Sequence, residues 1–226
     1  MKIKLKTALA LKYNAFIGET FKELVFPEGM IEIPGSLCED CRQLRKVVLP
    51  STIKRIDVGA FNGCRKLEEI NLPDGLESIG YWAFYSCNSL KSLEIPSSVR
   101  EIGFGIVSEH ENFEGIICHA NGFHVENDAL IDDKNKELLC CWTKQENYVV
   151  TECVDKIACI SNNGYVKTIT VKQPIKLTTV DAFAFDMGLK EIDFQGGVTG
   201  ITKDTFYLCN YPSKIKIKQS GFPGHL

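Results

Sequence analysis

The sequence lacks both a long apolar run and a strong excess of charge of either sign. No stretch approaches the ~20 apolar residues of a membrane-spanning helix. The chain has 26 Lys and Arg residues and 29 Asp and Glu residues, which give it a net charge of −3. Because nucleic-acid-binding proteins usually carry a basic face, neither a membrane span nor nucleic-acid binding is expected. The apolar part of residues 1–12 is too short and too interrupted by lysine for a clear signal peptide, and we interpret it as a strand.

The sequence also lacks a spacing typical of metal sites around its histidines. Cys118, His119, His124, Cys140 and Cys141 are residue types that bind zinc, but no two of them form a Cys-x-x-Cys pair. The adjacent Cys140 and Cys141 would point to opposite faces of a strand. We therefore expect packed cysteines and solvated histidines here, with no metal and no other cofactor.

What the sequence does contain is a repeat of 23 residues. The three clearest copies begin at Leu44, Leu67 and Leu90, each 23 residues after the one before. A fixed period between about 20 and 50 residues is typical of stacked-repeat proteins. One such repeat cannot cover its own apolar side, so it becomes stable only when stacked on its neighbours.

Each repeat has the same internal pattern. Positions 4 and 6 are apolar and flank a mostly polar position 5, as Ile70 and Leu72 flank Asn71, which predicts a strand with one buried face. A proline at position 7 lacks an N–H and ends the strand. An Ala-Phe pair follows, and its phenylalanine, Phe61 or Phe84, is predicted to fill the interior. In a later repeat we assign this pair to Ala184-Phe185, displaced by two residues.

The middle and the ends depart from this pattern. Between about 113 and 165 the repeat is irregular, and two apolar runs around residues 132–136 predict a β-hairpin. Lys2 to Lys6 and Lys214 to Lys218 alternate lysine with apolar residues. Since lysine discourages edge-to-edge pairing, we interpret both segments as terminal strands of an open sheet, although ordinary solvated faces would look similar.

Ten cysteines could form either buried thiols or a disulfide framework. Cys41, Cys64 and Cys87 all occupy position 21, and Cys209 holds that position in a later copy. A residue that recurs with the repeat is most simply a packing position, and a thiol packs as a small apolar group. We expect free buried thiols, which favours a reducing or anaerobic setting.

The segment LEEINLPDGLESIGYWAFYSC, from Leu67 to Cys87, resembles the BspA-like (Treponema-type) leucine-rich repeats. The resemblance extends over nearly the whole chain and is weakest at 113–165. It implies one α/β solenoid domain over residues 1–226, right-handed and horseshoe-like. We expect one parallel sheet on one face of the solenoid, and turns, short helices or 3₁₀ segments on the other.

The same resemblance implies recognition or adhesion without enzyme activity, often at a cell surface. We expect a monomer that binds a protein or a glycan through the outward positions of its sheet. Its location would be the cell surface or the exterior, or the cytoplasm if Met1 is the true start. The candidate residues are Val25, Lys46, Val48, Glu69, Asn71, Ser92, Glu94, Ile117, Thr168, Glu191 and Asp193.

A carbohydrate-active enzyme of the parallel β-helix type, such as a polysaccharide lyase, is the alternative. The length of a coil permits it. However, the repeat shows one clear strand, where a β-helix usually has several. Asp132 and Asp133 lie in a predicted turn, where aspartate is common for structural reasons, so no convincing acid–base pair is present.

Overall fold

The computed structural model describes residues 1–5, 11–107, 112–160, 164–180, 182–183, 188–202, 205–206 and 214–217. These residues form twenty strands and no helix, and no helix among them could cross a membrane. The strands are β1 (Lys2–Lys4), β2 (Glu23–Val25), β3 (Glu32–Ile33), β4 (Lys46–Val48), β5 (Arg55–Ile56), β6 (Glu69–Ile70), β7 (Ser78–Ile79), β8 (Ser92–Ile95), β9 (Glu101–Ile102), β10 (Gly115–Cys118), β11 (Phe123–Glu126), β12 (Ala129–Asp132), β13 (Glu137–Cys141), β14 (Asn147–Val149), β15 (Lys156–Ile157), β16 (Thr168–Val171), β17 (Ile175–Leu177), β18 (Glu191–Phe194), β19 (Val198–Thr199) and β20 (Lys214–Ile217).

The alternating segments of the repeat form the front strands, which pair in parallel from coil to coil. They make three sheets, in the orders β1-β2-β4-β6, β8-β10 and β14-β16-β18-β20. In the first sheet Val47 lies beside Leu24 and Ile70, and all three point toward the interior. The predicted parallel strand is therefore confirmed. The prediction of one continuous sheet is not confirmed, because no pairing between β6 and β8 occurs in the described residues.

A second column of short strands, the side strands, accompanies the predicted turns, and the described residues contain none of the alternative short helices. Strands β3, β5, β7 and β9 pair in parallel, and Ile33, Ile56 and Ile79 point inward along them. The parallel-sheet solenoid is confirmed, but the described residues contain no helix to support the α part of the α/β class, and their strands form several sheets where one was expected. The reason is that the isoleucine at repeat position 13 is β-branched and favours extended backbone, and the facing N–H and C=O groups of neighbouring coils satisfy each other there, as between Asp57 and Ile33 (2.9 Å).

The third side of each coil is a turn that also bonds to its neighbours. Phe61 N–H donates to the carbonyl of Ala83 in the next coil (2.9 Å), and Phe84 N–H donates to that of Ile106 (2.9 Å). Gly59 (φ 62°) and Trp82 (φ 55°) occupy the same repeat position in left-handed conformation. That conformation is easy for glycine and costly for a bulky side chain. The inter-coil bonds keep the turn in this shape.

The predicted phenylalanine plugs are confirmed. Phe61 and Phe84 are buried, and their rings stack with centroids 5.8 Å apart at 3°. In the later repeat for which a displaced pair was predicted, Ala182 and Phe183 are buried at the undisplaced repeat positions. Phe183 stacks on Phe206, with ring centroids 5.8 Å apart. Ala184 and Phe185 lie outside the described residues. The plug column thus continues in register through the later coils.

The cysteines at position 21 form a buried column beside the plugs. Cys41, Cys64 and Cys87 are buried, as predicted. Their sulfurs donate to backbone carbonyls one coil back, at 2.9, 3.1 and 3.2 Å. No disulfide joins the nine described cysteines, of which Cys118 is half-buried and Cys153 exposed. The thiol at this position therefore packs and also satisfies a carbonyl of the back turn.

The irregular middle forms an antiparallel meander of β11, β12 and β13, and the predicted hairpin is its second half. The meander continues in parallel into the side strands β15, β17 and β19. Its strands separate two apolar cores: Leu130 and Trp142 belong to the first, and Ile131 and Leu138 to the second. Both faces of β12 and β13 are buried, which explains their continuous apolar sequence.

The two lysine-rich segments contain edge strands, as predicted. Strands β1 and β20 each end a front sheet. Lys2 bonds Glu23 on the adjacent strand at 2.5 Å, and Lys216 pairs with Glu191. Lys6 and Lys218 lie outside the described residues.

Candidate functional site

The candidate residues lie on the outer side of the front strands, which we call the front face. Alternation within each strand places them opposite the buried positions. The more exposed group is Lys46, Glu69, Asn71, Ser92, Glu94 and Ile117, and the half-buried group is Val25, Val48, Thr168, Glu191 and Asp193.

The front face is divided among the three front sheets. Val25, Lys46, Val48, Glu69 and Asn71 lie on or just after the strands of the first sheet. Ser92, Glu94 and Ile117 lie on β8 and β10, and Thr168, Glu191 and Asp193 on the third sheet. The structure therefore brings the candidates together within each group, but not into one continuous sheet.

Where β6 and β8 separate, a cleft of about 380 Å³ opens in the front face. Asn71, Glu94 and His119 line it together with Ile70 and Leu72, which are only half-buried here. The Asn71 amide bonds the Leu49 backbone in both directions, at 3.1 and 3.2 Å. His119 Nε2 lies 3.0 Å from a Glu94 carboxylate oxygen. These polar side chains already bond to groups of the protein. They therefore define the shape of the cleft, and their bonded atoms are not available to a ligand.

Charged residues of the front face pair across coils. Lys46 pairs with Glu69, and the hydrogen bond that its ammonium donates to Glu69 raises the pKa of Lys46. The hydrogen bond from Lys216 lowers the pKa of the Glu191 carboxyl. Because the charges are compensated within the protein, the aliphatic side chains between them are the part of the face that gains most from being covered.

The sequence analysis missed two front-face residues. Asn147 and Val149 lie on β14, beside Thr168 and Thr170 of β16. Between them, Tyr148 is fully buried. The alternation of polar, aromatic and aliphatic residues around Tyr148 is the signal that would have identified them.

A second cleft, of about 690 Å³, lies where the side strands meet the meander. Arg55 and Arg100 line it from the side strands, and Asp132 and Lys134 from the meander. Its walls carry charges of both signs, so no one class of charged ligand is favoured. The sequence could not indicate this cleft, because its walls come from segments that are far apart in the chain, such as Arg55 and Asp132.

The five residues considered for zinc separate in the structure. Cys140 and Cys141 are buried on opposite faces of β13, and His119 pairs with Glu94. His124 instead lies beside Glu126 and Cys153, and the ligand atoms of these three are all within 4.8 Å of one another. Among the described residues, this is the one group of three or more His, Cys, Asp or Glu side chains so close. Sequence reasoning missed it because Cys153 is 29 residues from His124.

One Cys-x-x-Cys spacing does occur, at Cys38 and Cys41. These are repeat positions 18 and 21, and both side chains are fully buried. Burial raises the pKa of the Cys38 thiol, whereas a hydrogen bond with Cys38 lowers the pKa of Cys41. The pair belongs to the packing columns of the repeat.

The repeat of this chain is shared with known proteins. The profile described as "BspA type Leucine rich repeat region" matches residues 9–136 and 141–221, in six copies. The crystal structure of the pneumococcal vaccine antigen PcpA aligns with a TM-score of 0.68 at 22% identity, over 80% of this chain and 47% of PcpA. This chain thus spans about half the length of PcpA, and the likeness shows the fold alone.

Two other leucine-rich repeat structures align less closely. One, from Bacteroides ovatus, has a TM-score of 0.49 at 22% identity, over 91% of this chain and 63% of that one. The other, TpLRR from T. pallidum, has a TM-score of 0.40 at 30% identity, over 42% of this chain and 50% of that one. A comparison with curated proteins gives no significant match. Since the profile matches most of the sequence, the chain belongs to the BspA-type leucine-rich repeat family.

Proposed function

We propose that this protein is a non-enzymatic scaffold that binds a protein partner through its front face. The family suggests a repeat scaffold for protein interaction or adhesion. A stacked parallel sheet presents a long, regular surface on which outward side chains vary from coil to coil. Such a surface suits recognition, because each coil adds contacts without changing the core.

The exposed aliphatic side chains of the front face carry this proposal. Val25 and Val48 lie side by side on β2 and β4. Ile117 on β10 is 52% exposed and Val149 on β14 is 40% exposed. Single exposed apolar residues are common, but here they recur on one face among charges that are already paired. Aliphatic contacts surrounded by a polar rim are typical of protein–protein interfaces.

A glycan partner is the second outcome to test. The enzyme alternative receives less support, since leucine-rich repeat families are typically scaffolds. The second strand per coil that the sequence analysis missed is a feature shared with β-helix enzymes. Asp132 of the suspected pair, however, bonds Asn135 within its own turn, at 3.0 and 2.7 Å, as expected of a structural turn residue.

The test compares Ile117→Asp with the matched control Ile31→Asp. Both isoleucines are exposed, at 52% and 56%, but Ile31 lies just before the side strand β3. Binding of the parent and both variants would be measured by surface plasmon resonance against purified extracellular-matrix proteins and on a glycan array. Ile117→Asp should weaken binding at least tenfold, since it leaves a desolvated charge in the contact. Ile31→Asp should bind like the parent.

Both variants should melt at the temperature of the parent, because both side chains are exposed. The front-face assignment is refuted if Ile31→Asp loses binding while Ile117→Asp keeps it. If only glycans bind, and Ile117→Asp weakens that binding, the face is correct and the partner class is not.

A further inference from the structure

A mixed cluster of His124, Glu126 and Cys153 lies at the exposed end of β11. His124 Nε2 is 3.6 Å from Glu126 Oε2 and 4.0 Å from Cys153 Sγ, and Sγ is 3.1 Å from Glu126 Oε2. The side chains of His124 and Glu126 are 39% and 50% exposed. An imidazole, a carboxylate and a thiol therefore point at one small volume that solvent can reach.

The fold brings these residues together by two local features. His124 and Glu126 are two residues apart on β11, so they share one face of the strand. The turn after β11 passes through Asn127 and Asp128, both with positive φ, at 48° and 57°. The Asn127 amide donates to the Val149 carbonyl at 2.7 Å. That bond fixes the hairpin to the end of β14, four residues before Cys153.

The geometry fits a tetrahedral zinc ion. Zinc bonds of about 2.3 Å to sulfur and about 2.0–2.1 Å to nitrogen or oxygen place neighbouring ligand atoms about 3.3–3.6 Å apart. Of the three separations here, 3.6 Å lies in that range, and 3.1 and 4.0 Å lie just below and just above it. A thiolate and an imidazole favour zinc over magnesium or calcium. The thiolate and the Glu126 carboxylate together balance the charge of the dication.

The surroundings of His124 match those of a metal ligand. Its Nδ1 bonds Asp133 Oδ1 at 2.5 Å. With Nδ1–H donating to this carboxylate, the Nε2 lone pair faces Glu126 and Cys153. Metal-bound histidines usually have such a partner, which sets the tautomer and the ring orientation. Cys153 Sγ–H donates a hydrogen bond to Glu126 Oε2, and zinc would take the place of that proton, which passes to solvent.

We propose that His124 Nε2, Glu126 Oε2 and Cys153 Sγ form a zinc-binding site, oriented by Asp133, with the fourth position left for water. This departs from the expectation that the chain binds no metal. That expectation considered His124 with Cys118, Cys140 and Cys141, and the fold gives it different neighbours.

The test uses the whole chain, stripped of metal with a chelator and kept reduced. Zinc binding would be measured by competition with a chromogenic chelator. We expect one zinc ion per chain. His124→Gln and Cys153→Ser should each weaken binding at least tenfold, and Asp133→Asn by about 10–100-fold, the usual effect of losing such a partner. His119→Gln and Cys118→Ser remove the same residue types outside the cluster and should bind zinc like the parent.

Cobalt provides a ligand-specific readout. Co²⁺ bound by the parent should show thiolate-to-cobalt charge-transfer absorption, which Cys153→Ser should lose and Cys118→Ser should keep. Because none of the altered side chains is fully buried, all variants should melt close to the parent without metal, and zinc should raise the melting temperature of the parent and of the two control variants. The proposal is overturned if the parent binds no zinc at one per chain, or if Cys153→Ser binds it as tightly as the parent.

Discussion

Replacing Phe61 with alanine should lower the free energy of unfolding by about 3–5 kcal/mol. The ring is fully buried and stacks on Phe84. A buried phenylalanine removes about 150–250 Å² from water, which at ~25 cal/mol/Å² is about 4–6 kcal/mol. A compact unfolded state lowers that figure by roughly 10–40%. The corrected value agrees with the usual cost of a phenylalanine-to-alanine change in a core.

The measurement is urea unfolding followed by circular dichroism, with parent and variant compared at equal slope. Phe16→Ala is the control: Phe16 is half-buried in the first coil and contacts the edge of Phe21 at 5.7 Å. It should lose clearly less than Phe61→Ala, since part of its ring already meets water. A loss below about 1 kcal/mol for Phe61→Ala would show that the plug column does not hold the coils together.

Two further predictions concern backbone contact and thiols. Gly103→Ala should lower the free energy of unfolding by about 1–3 kcal/mol in the same assay, because the added Cβ would lie 2.4 Å from the Tyr81 backbone nitrogen. The control Gly75→Ala should unfold like the parent, because its Cβ would meet only the flexible end of Lys54, at 3.2 Å. Maleimide labelling with peptide mass spectrometry should modify Cys153 in the native chain and Cys87 only after unfolding, so native labelling of Cys87 would contradict its burial. Burial raises the pKa of the Cys87 thiol above its ordinary value of 9.0. The free energy of unfolding should therefore be unaffected by this thiol below pH 9.0 and should decline as the pH rises above it, because the unfolded chain then loses the proton more readily.

The repeat period was sufficient to predict the interior. Residues 23 apart, such as Val47 and Ile70, occupy equivalent places in neighbouring coils, so their pattern reports directly on which side of a strand is buried. The stacked Phe61 and Phe84 followed from the same periodicity. The hairpin around residues 132–136 was predictable because two apolar runs flanked a polar turn.

The side strands were missed because two residues per coil give no alternation to detect. Ile56 and Ile79 point inward, but the pairing of their backbones with adjacent coils depends on how closely the coils stack. Two Ala-Phe pairs occur two residues apart in a later repeat. Phe183, at the regular position, is buried in the plug column, whereas the predicted Ala184 and Phe185 lie outside the described residues.

The sequence by itself determined that this chain is built of stacked coils with an apolar interior and a 23-residue period where the repeat is regular, because a periodic pattern needs only local alternation and equal spacing to be recognised. Tertiary structure alone decided where the front face breaks and what lies around the meander. The separation of β6 from β8 and the meeting of His124 with Cys153 both depend on distances between segments far apart in the chain. Such distances are set by the packing of whole coils, which no short stretch of sequence encodes.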